Sequence, residues 1–150
     1  MGLEAGQQAP EFEAKDQHGT THTLSGLLEE GPVVLFFYPK AMTSGCTAES
    51  CHFRDLAAEF AEVGAQRIGI SADSVDRQKQ FDEKNDLGYP LLADEDKSIA
   101  DAYGTKRWWM PGMNKRQTFV IGTDGMLKAV IASETNMETH ADEALAALRD

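Results

Sequence analysis

The feature that most constrains the fold is an unbroken apolar run at residues 33–38, which read VVLFFY. A strand without polar positions is buried on both faces, which is typical of a central strand covered by helices on each side of its sheet. After a loop that contains Pro39 and Gly45, apolar positions recur at helical spacing, and residues 66–71 form a second predicted strand. This strand–helix–strand order predicts a βαβ unit with parallel strands, and therefore an α/β fold.

Shorter elements are predicted on both sides of this unit. Residues 3–24 predict an N-terminal β-hairpin, and residues 25–30 predict a short helical turn. An apolar stripe over residues 53–63 predicts one helix that ends at Gly64. The other predicted elements are, in chain order, a helix from Asp73 or Ser74 to about Asn85, an extended piece at 91–93, a helix at 96–103, strands at 117–121 and 126–131, and a helix from about Glu138. No repeat, low-complexity tract or linker interrupts this order, so residues 1–150 are predicted to form a single domain.

One stretch, residues 105–116, matches neither the helical nor the strand period, and it contains both tryptophans, Trp108 and Trp109. It is either a surface loop with a buried aromatic anchor or an apolar rim over a binding site. Loops carry many binding residues and tryptophan is also a common anchor, so the sequence leaves both interpretations open.

The charge of the chain limits its partners. Its 25 acidic and 14 basic residues give a net charge of −11, which argues against binding nucleic acid or anionic membranes, because both need clustered lysine and arginine. The longest apolar run is too short to span a bilayer, and the N-terminus has neither the basic region nor the apolar core of a signal peptide. The expected location is therefore the cytoplasm.

The two cysteines, Cys46 and Cys51, are five positions apart in a chain that has no other cysteine. A cysteine pair of this kind, without a secretion signal, is more often redox-active or metal-binding than a structural disulfide. Cys46 lies where the predicted helix begins, and the N–H groups and the dipole of a helix start stabilise a thiolate and lower the pKa of the thiol. Cys46 is therefore the candidate nucleophile.

The loop around the cysteines reads Pro39-x-x-x-Thr43-x-x-Cys46, with Cys51 in the helix that follows. This pattern resembles the active-site loop of the peroxiredoxins, and more narrowly that of the bacterioferritin comigratory (peroxiredoxin Q) group. The other stretches that are similar to this group are Tyr38-Pro39-Lys40, Gly45-Cys46-Thr47, Phe53-Arg54-Asp55, Ala9-Pro10-x-Phe12, Gly69-Ile70-Ser71-x-Asp73, Tyr89-Pro90-Leu91-Leu92-x-Asp94 and Arg116-x-Thr118-Phe119-Val120-Ile121. The chain departs from the group at Ala41-Met42, where Asp-Asn is usual, and at Ser44, where proline is usual.

The resemblance implies a thioredoxin-like fold, with a central mixed β-sheet flanked by helices, and an atypical two-cysteine, thioredoxin-dependent peroxidase of antioxidant defence. It implies that Cys46 reduces hydrogen peroxide and organic hydroperoxides and becomes a sulfenic acid, which Cys51 resolves as an intramolecular disulfide. The other implied roles are Arg116 as a cation beside the sulfur, Thr43 as a hydroxyl that accepts from and donates to the peroxide, Pro39 as a shield from water, and Glu49 as the group that orients Arg116. Glu49 also has a structural interpretation, as a first-turn acid that stabilises the helix dipole.

Helix geometry constrains the step between the two cysteines. Five residues of α-helix rise about 7.5 Å and place the two Cα atoms roughly 8–9 Å apart, whereas a disulfide needs them about 4.4–6.8 Å apart. The first turn or two of the helix is therefore expected to unwind before Cys51 reaches Cys46. A thioredoxin-like protein is the expected reductant, and no cofactor or metal is required.

Substrate contacts and assembly are less constrained. Phe37, Met42 and Trp108 are candidate contacts for an apolar peroxide, although any of them also suits the core. The resemblance favours a monomer over a dimer. His18 and His22 flank a predicted turn and are expected to be solvated, because no Cys or carboxylate joins them at ligand spacing. His140, in the first turn of the last helix, is also expected to be solvated. They are not expected to be metal ligands.

Three other functions stay open at this point. A copper site would use the cysteine pair with a histidine such as His52. A thiol–disulfide oxidoreductase usually has Cys-x-x-Cys, which is absent here. The third possibility is that both thiols are buried and inert.

Overall fold

A computed structural model describes residues 3–105 and 115–149 of the protein. Its strands are β1 (Glu13–Lys15), β2 (Thr21–Thr23), β3 (Val33–Phe37), β4 (Gln66–Ser71), β5 (Leu91–Ala93), β6 (Gln117–Ile121) and β7 (Leu127–Ala132). Its helices are α1 (Leu24–Leu28), α2 (Ser44–Asp55), α3 (Ala57–Glu62), α4 (Val75–Asn85), α5 (Ser98–Ala102) and α6 (Thr139–Arg149). The predictions for Trp108 and Trp109 fall in residues 106–114, outside the described residues.

The strands form one mixed sheet in the order β2-β1-β5-β4-β3-β6-β7. As predicted, β3 and β4 are parallel, and β1 and β2 form an antiparallel N-terminal hairpin. The central strand β3 pairs antiparallel with β6 on its other side, and Phe37 lies opposite Gln117. The chain just before β6 is therefore next to the end of β3, where the cysteine loop begins.

Each face of the sheet carries its own hydrophobic core, because successive side chains of a strand point to opposite faces. Val33, Leu35 and Phe37 pack on the face that is covered by α1 and α5. Val34, Phe36 and Tyr38 pack on the other face, with Cys46 and with apolar residues of α2, α3, α4 and α6. The whole of β3 is buried, which confirms the expected central strand.

The helix predicted over residues 53–63 is in fact two helices, so this prediction is wrong. α2 ends at Asp55 and α3 begins at Ala57, with Leu56 between them. Arg67 of β4 donates to the carbonyl oxygen of Phe53 at 3.0 Å, near the end of α2. A side chain from a remote strand therefore binds a carbonyl in the last turn of α2. In the described part of the chain, no helix is long and apolar enough to cross a membrane.

Candidate active site

The loop between β3 and α2 is held from the neighbouring strand. The backbone N–H of Ala41 donates to the carboxylate of Asp73 at 2.7 Å, and the Ser71 hydroxyl donates to the same oxygen at 2.6 Å. Pro39 is buried at the start of this loop. Met42 has a left-handed backbone, with φ of 70°, which is uncommon outside glycine. Asp73 is a positioning residue that the sequence suggested only as a possible helix cap.

Cys46 is the third residue of α2 and its side chain is buried. The first intrahelical bond runs from Thr47 N–H to the Thr43 carbonyl, so the Cys46 N–H belongs to the helix start, where N–H groups have no partner within the helix. Thr43 makes no capping bond with its side chain. Its hydroxyl instead donates to the carbonyl oxygen of Lys40 at 2.8 Å. Thr43 is exposed at the start of α2, and the hydrogen of its hydroxyl is engaged by Lys40.

The Arg116 guanidinium bridges Cys46 and Glu49. Its Nη2 donates to Cys46 Sγ at 3.4 Å, and its Nη1 donates to Glu49 Oε1 at 2.6 Å. Burial alone lowers the pKa of Arg116, but the Glu49 carboxylate and the Cys46 sulfur outweigh it and raise the net pKa. The group is therefore a permanent cation. A Cβ at Gly45 would lie 3.3 Å from Arg116 Nη2, so the glycine makes room for the guanidinium.

Glu49 lies inside the protein rather than at the exposed start of the helix. It is in the second turn of α2 and is fully buried, so its interpretation as a first-turn acid is wrong. Burial raises the pKa of Glu49 to about 8, although the nearby charge and hydrogen bond of Arg116 lower it. The Arg116 backbone N–H donates to Glu134 Oε2 at 3.1 Å, which places a second carboxylate at the same end of β6.

His140 is not solvated, which corrects the sequence prediction. Its side chain is fully buried, with Nε2 at 2.8 Å from the carbonyl oxygen of Ser133 and Nδ1 at 2.7 Å from the Thr118 hydroxyl. Since a carbonyl oxygen only accepts, Nε2 carries a proton, and in the neutral ring Nδ1 then accepts from the Thr118 hydroxyl. The signal that was missed is helical spacing: His140 precedes Ala144 by four residues and shares its apolar face.

Cys51 lies on the same helix as Cys46, and both cysteines are free. The Cys51 thiol is half-buried and 3.8 Å from Asn85 Oδ1. Between the two cysteines, the carbonyl oxygen of Ser50 accepts a 2.7 Å hydrogen bond from the Tyr89 hydroxyl. α2 is unbroken from Ser44 to Asp55, so the cysteines have the helical separation at which no disulfide forms.

Of the residues predicted to contact substrate, Phe37 and Met42 pack against different faces of the sheet. Phe37 is fully buried on the face of the sheet opposite Cys46, so the structure places it away from the cysteine site. Met42 is partly buried beside the cluster that holds Cys46. A side chain that sequence reasoning missed is Met137, whose Sδ and Cε lie 3.6 Å from the position of a Cβ at Gly45.

The remaining histidines differ in exposure. His18 is 63% exposed, as expected. His22 is mostly buried and its Nε2 lies 2.8 Å from the Asp16 carboxylate, so its prediction as solvated is wrong. The described residues contain no group of three or more His, Cys, Asp or Glu side chains that could hold a metal ion.

Comparison with known proteins identifies the class. Residues 5–130 match the AhpC/TSA family. The crystal structure of peroxidoxin BcpB from Mycobacterium tuberculosis is 53% identical, with a TM-score of 0.93, over 98% of this chain and 97% of that one. Peroxiredoxin Bcp of Bacillus subtilis is 39% identical over 155 residues, covering 100% of this chain and 98% of the relative. The Xanthomonas campestris bacterioferritin comigratory protein, studied for its alkyl peroxide reduction activity, is 30% identical with a TM-score of 0.87, over 97% and 98% of the two chains.

The chain therefore belongs to the AhpC/TSA family and is a thiol-dependent peroxidase with the thioredoxin-like fold of its structural neighbours. Within the peroxiredoxins it falls in the group of Bcp and peroxiredoxin Q. The resemblance that the cysteine loop suggested is thus confirmed.

Proposed function

We propose that Cys46 is the peroxidatic cysteine, and the 3.4 Å contact between its sulfur and Arg116 Nη2 carries this assignment. The sulfur of the thiolate forms a bond to one peroxide oxygen while the O–O bond breaks. The departing oxygen takes the electron pair of that bond and a proton, and leaves as water or an alcohol. Cys46 is thereby oxidised to a sulfenic acid and the peroxide is reduced.

The side chains around the sulfur supply the charge and hydrogen bonds for this step. Arg116 stabilises both the thiolate and the negative charge that grows on the departing oxygen. The Thr43 oxygen accepts a hydrogen bond from the peroxide hydroxyl. It does not donate one, because the Thr43 hydrogen is engaged by the carbonyl oxygen of Lys40. The Cys46 N–H donates to the peroxide from the helix start, and buried Pro39 keeps water from the sulfur. Glu49 holds Arg116 in place.

Cys51 is the proposed resolving cysteine. Its thiolate attacks the Cys46 sulfenic sulfur, an S–S bond forms, and the sulfenic oxygen leaves as water after taking a proton. Because the two cysteines lie five residues apart on unbroken α2, about 8 Å in Cα separation, the start of this helix unwinds first. A thioredoxin-like dithiol protein then reduces the disulfide, and the half-buried Cys51 region forms part of its docking surface.

The proposed substrates are hydrogen peroxide and organic hydroperoxides, in antioxidant defence. Met42 and Met137 give the site an apolar border that suits an alkyl peroxide, and Trp108 stays a proposed contact. The protein is proposed to act as a monomer in the cytoplasm, a reducing compartment that maintains thiols.

Stopped-flow reaction of the reduced protein with stoichiometric hydrogen peroxide tests this function, beside Cys46→Ser and Cys51→Ser. We expect rapid loss of both thiols in the wild type, no reaction in Cys46→Ser, and a trapped sulfenic acid in Cys51→Ser. A wild-type rate no faster than that of a free thiol would refute the assignment of Cys46. It would favour disulfide exchange without peroxidase activity.

A further inference from the structure

The proposed mechanism uses only one oxygen of Glu49. Oε1 accepts from Arg116, whereas Oε2 is buried and has no hydrogen-bond partner among the described residues. Nδ1 of His140 lies 3.6 Å from Oε2, and both side chains are fully buried. A buried carboxylate oxygen without a partner is costly, so Oε2 and the imidazole beside it need an explanation.

The charges of the buried side chains explain why Oε2 lies beside the imidazole. When Cys46 is a thiolate, the buried site contains one cation, Arg116, and two potential anions, Cys46 and Glu49. An ionised Glu49 would leave a net negative charge in the interior, where an unbalanced charge is strongly unfavourable. One added proton on either Glu49 or His140 restores neutrality.

We infer that Glu49 and His140 together hold one proton while Cys46 is a thiolate, so that the four buried side chains of Cys46, Glu49, Arg116 and His140 have no net charge. This inference rests on the proposed role of Cys46. It makes Glu49 and His140 positioning residues: the proton that they hold keeps Glu49 from competing with the thiolate for the full charge of Arg116.

The environment of each group agrees with this proton count. Burial raises the pKa of Glu49 to about 8, and burial lowers the pKa of His140 despite its bond to Ser133. At neutral pH the proton therefore lies on Glu49, and His140 is neutral.

Other charged groups face this pair from several elements. Glu134, before α6, raises the pKa of both Glu49 and His140, and Glu143 of α6 raises that of His140. Arg116 lowers both. Tyr89 is kept neutral, because burial raises its pKa and Glu49 raises it further. The two glutamates thus favour retention of the proton and Arg116 opposes it.

A direct measurement of protonation tests the inference in the wild-type protein. Infrared difference spectroscopy of the reduced protein, titrated from about pH 6 to about pH 10, reports the carbonyl stretch of a protonated carboxyl group, and ¹⁵N NMR reports the protons on His140. Glu49→Gln assigns the infrared band by removing it. We expect one proton on the pair at neutral pH, lost near pH 8. An ionised Glu49 beside a neutral His140 at neutral pH would overturn the inference, as would a protonated Glu49 beside an imidazolium.

Two further comparisons connect the proton to the thiolate. In Cys46→Ser, which has no thiolate, Glu49 should lose its proton at lower pH than in the wild type; an unchanged titration would contradict the inference. The second-order rate with hydrogen peroxide should fall severalfold between about pH 8 and about pH 10 in the wild type and stay level in Glu49→Gln. Rapid thiol loss with no proton on either Glu49 or His140 overturns the inference alone, whereas slow thiol loss overturns the proposed function.

Discussion

The Tyr89 hydroxyl donates a 2.7 Å hydrogen bond to the carbonyl oxygen of Ser50, on the helix that carries both cysteines. Both residues are buried, and the bond joins α2 to the segment that leads into β5. If α2 unwinds between Cys46 and Cys51 to form the disulfide, this contact opens with it. In the proposed mechanism, the strength of the Tyr89 bond therefore affects how readily the Cys46 sulfenic acid is resolved.

Tyr89→Phe should speed disulfide formation and lower stability. Removal of the hydroxyl costs the folded helix about 1 kcal/mol, while the unwound form, in which the bond is already open, loses little. The expected result is a severalfold faster disulfide step after the peroxide step, with the peroxide step itself unchanged. Stopped-flow fluorescence with hydrogen peroxide separates the two phases, and denaturant unfolding gives the stability.

Tyr103→Phe is the matched control for this prediction. The Tyr103 hydroxyl also donates a 2.7 Å bond to a backbone carbonyl, that of Pro10, but on the other face of the sheet. This variant should lose similar stability and keep the wild-type disulfide rate. Equal acceleration in both variants would show that general destabilisation, not the Ser50 bond, governs resolution.

Arg116→Lys should slow the peroxide step by about a hundredfold or more, the usual cost of losing one preorganised donor at a developing charge. Lysine keeps the positive charge, but a single ammonium group lacks the planar fork that spans Cys46 and Glu49. The measurement is the second-order rate of thiol loss with hydrogen peroxide.

The control is Arg149→Lys, at the exposed end of α6, which should react at the wild-type rate. A wild-type rate in Arg116→Lys would mean that charge alone suffices, and that the geometry of the guanidinium has no role.

Asp73→Ala should impair the peroxide step without removing any group that touches the sulfur. The substitution leaves the Ala41 N–H without its acceptor, at a cost of about 1–3 kcal/mol, and frees the loop that carries Pro39 and Thr43. We expect a slower peroxide reaction and a partial rescue in Asp73→Asn, whose amide oxygen still accepts. Asp76→Ala, at the exposed start of α4, should leave the rate unchanged.

Local patterns predicted the parts of the fold that depend on few distant contacts. The apolar run at residues 33–38 identified the central strand, and the loop before Cys46 identified the helix start. The bounds of β4, β5 and β6 follow the predicted ranges 66–71, 91–93 and 117–121.

Long-range contacts explain most of what the sequence did not reveal. The break at Leu56 accompanies the bond from Arg67 of β4 to the end of α2, and the burial of His140 depends on Thr118 and Ser133. Phe37 lies on the same face as Val33 and Leu35, opposite Cys46, and the sequence alone did not say which face would hold Cys46. These features arise from the packing of remote elements.

Glu49 should make the folded protein less stable as pH rises through the neutral range. Burial raises its pKa from an ordinary 4.5 to about 8, so between these values the folded state holds a proton that the unfolded state has released. The free energy of unfolding then falls with rising pH by up to about 1.4 kcal/mol per pH unit. The lowered pKa of His140 makes the free energy of unfolding rise with pH instead, but only below the unfolded pKa of histidine, about 6.5.

The loss of stability due to Glu49 is therefore clearest between about pH 6.5 and pH 8. Glu49→Gln cannot ionise, so its free energy of unfolding should decline less than that of the wild type over this range. Urea denaturation at several pH values measures the difference. Glu83→Gln, on the exposed face of α4, should follow the wild-type curve. Parallel curves for Glu49→Gln and the wild type would indicate that Glu49 is already ionised in the folded protein, because a carboxylate that is charged in both states contributes no slope.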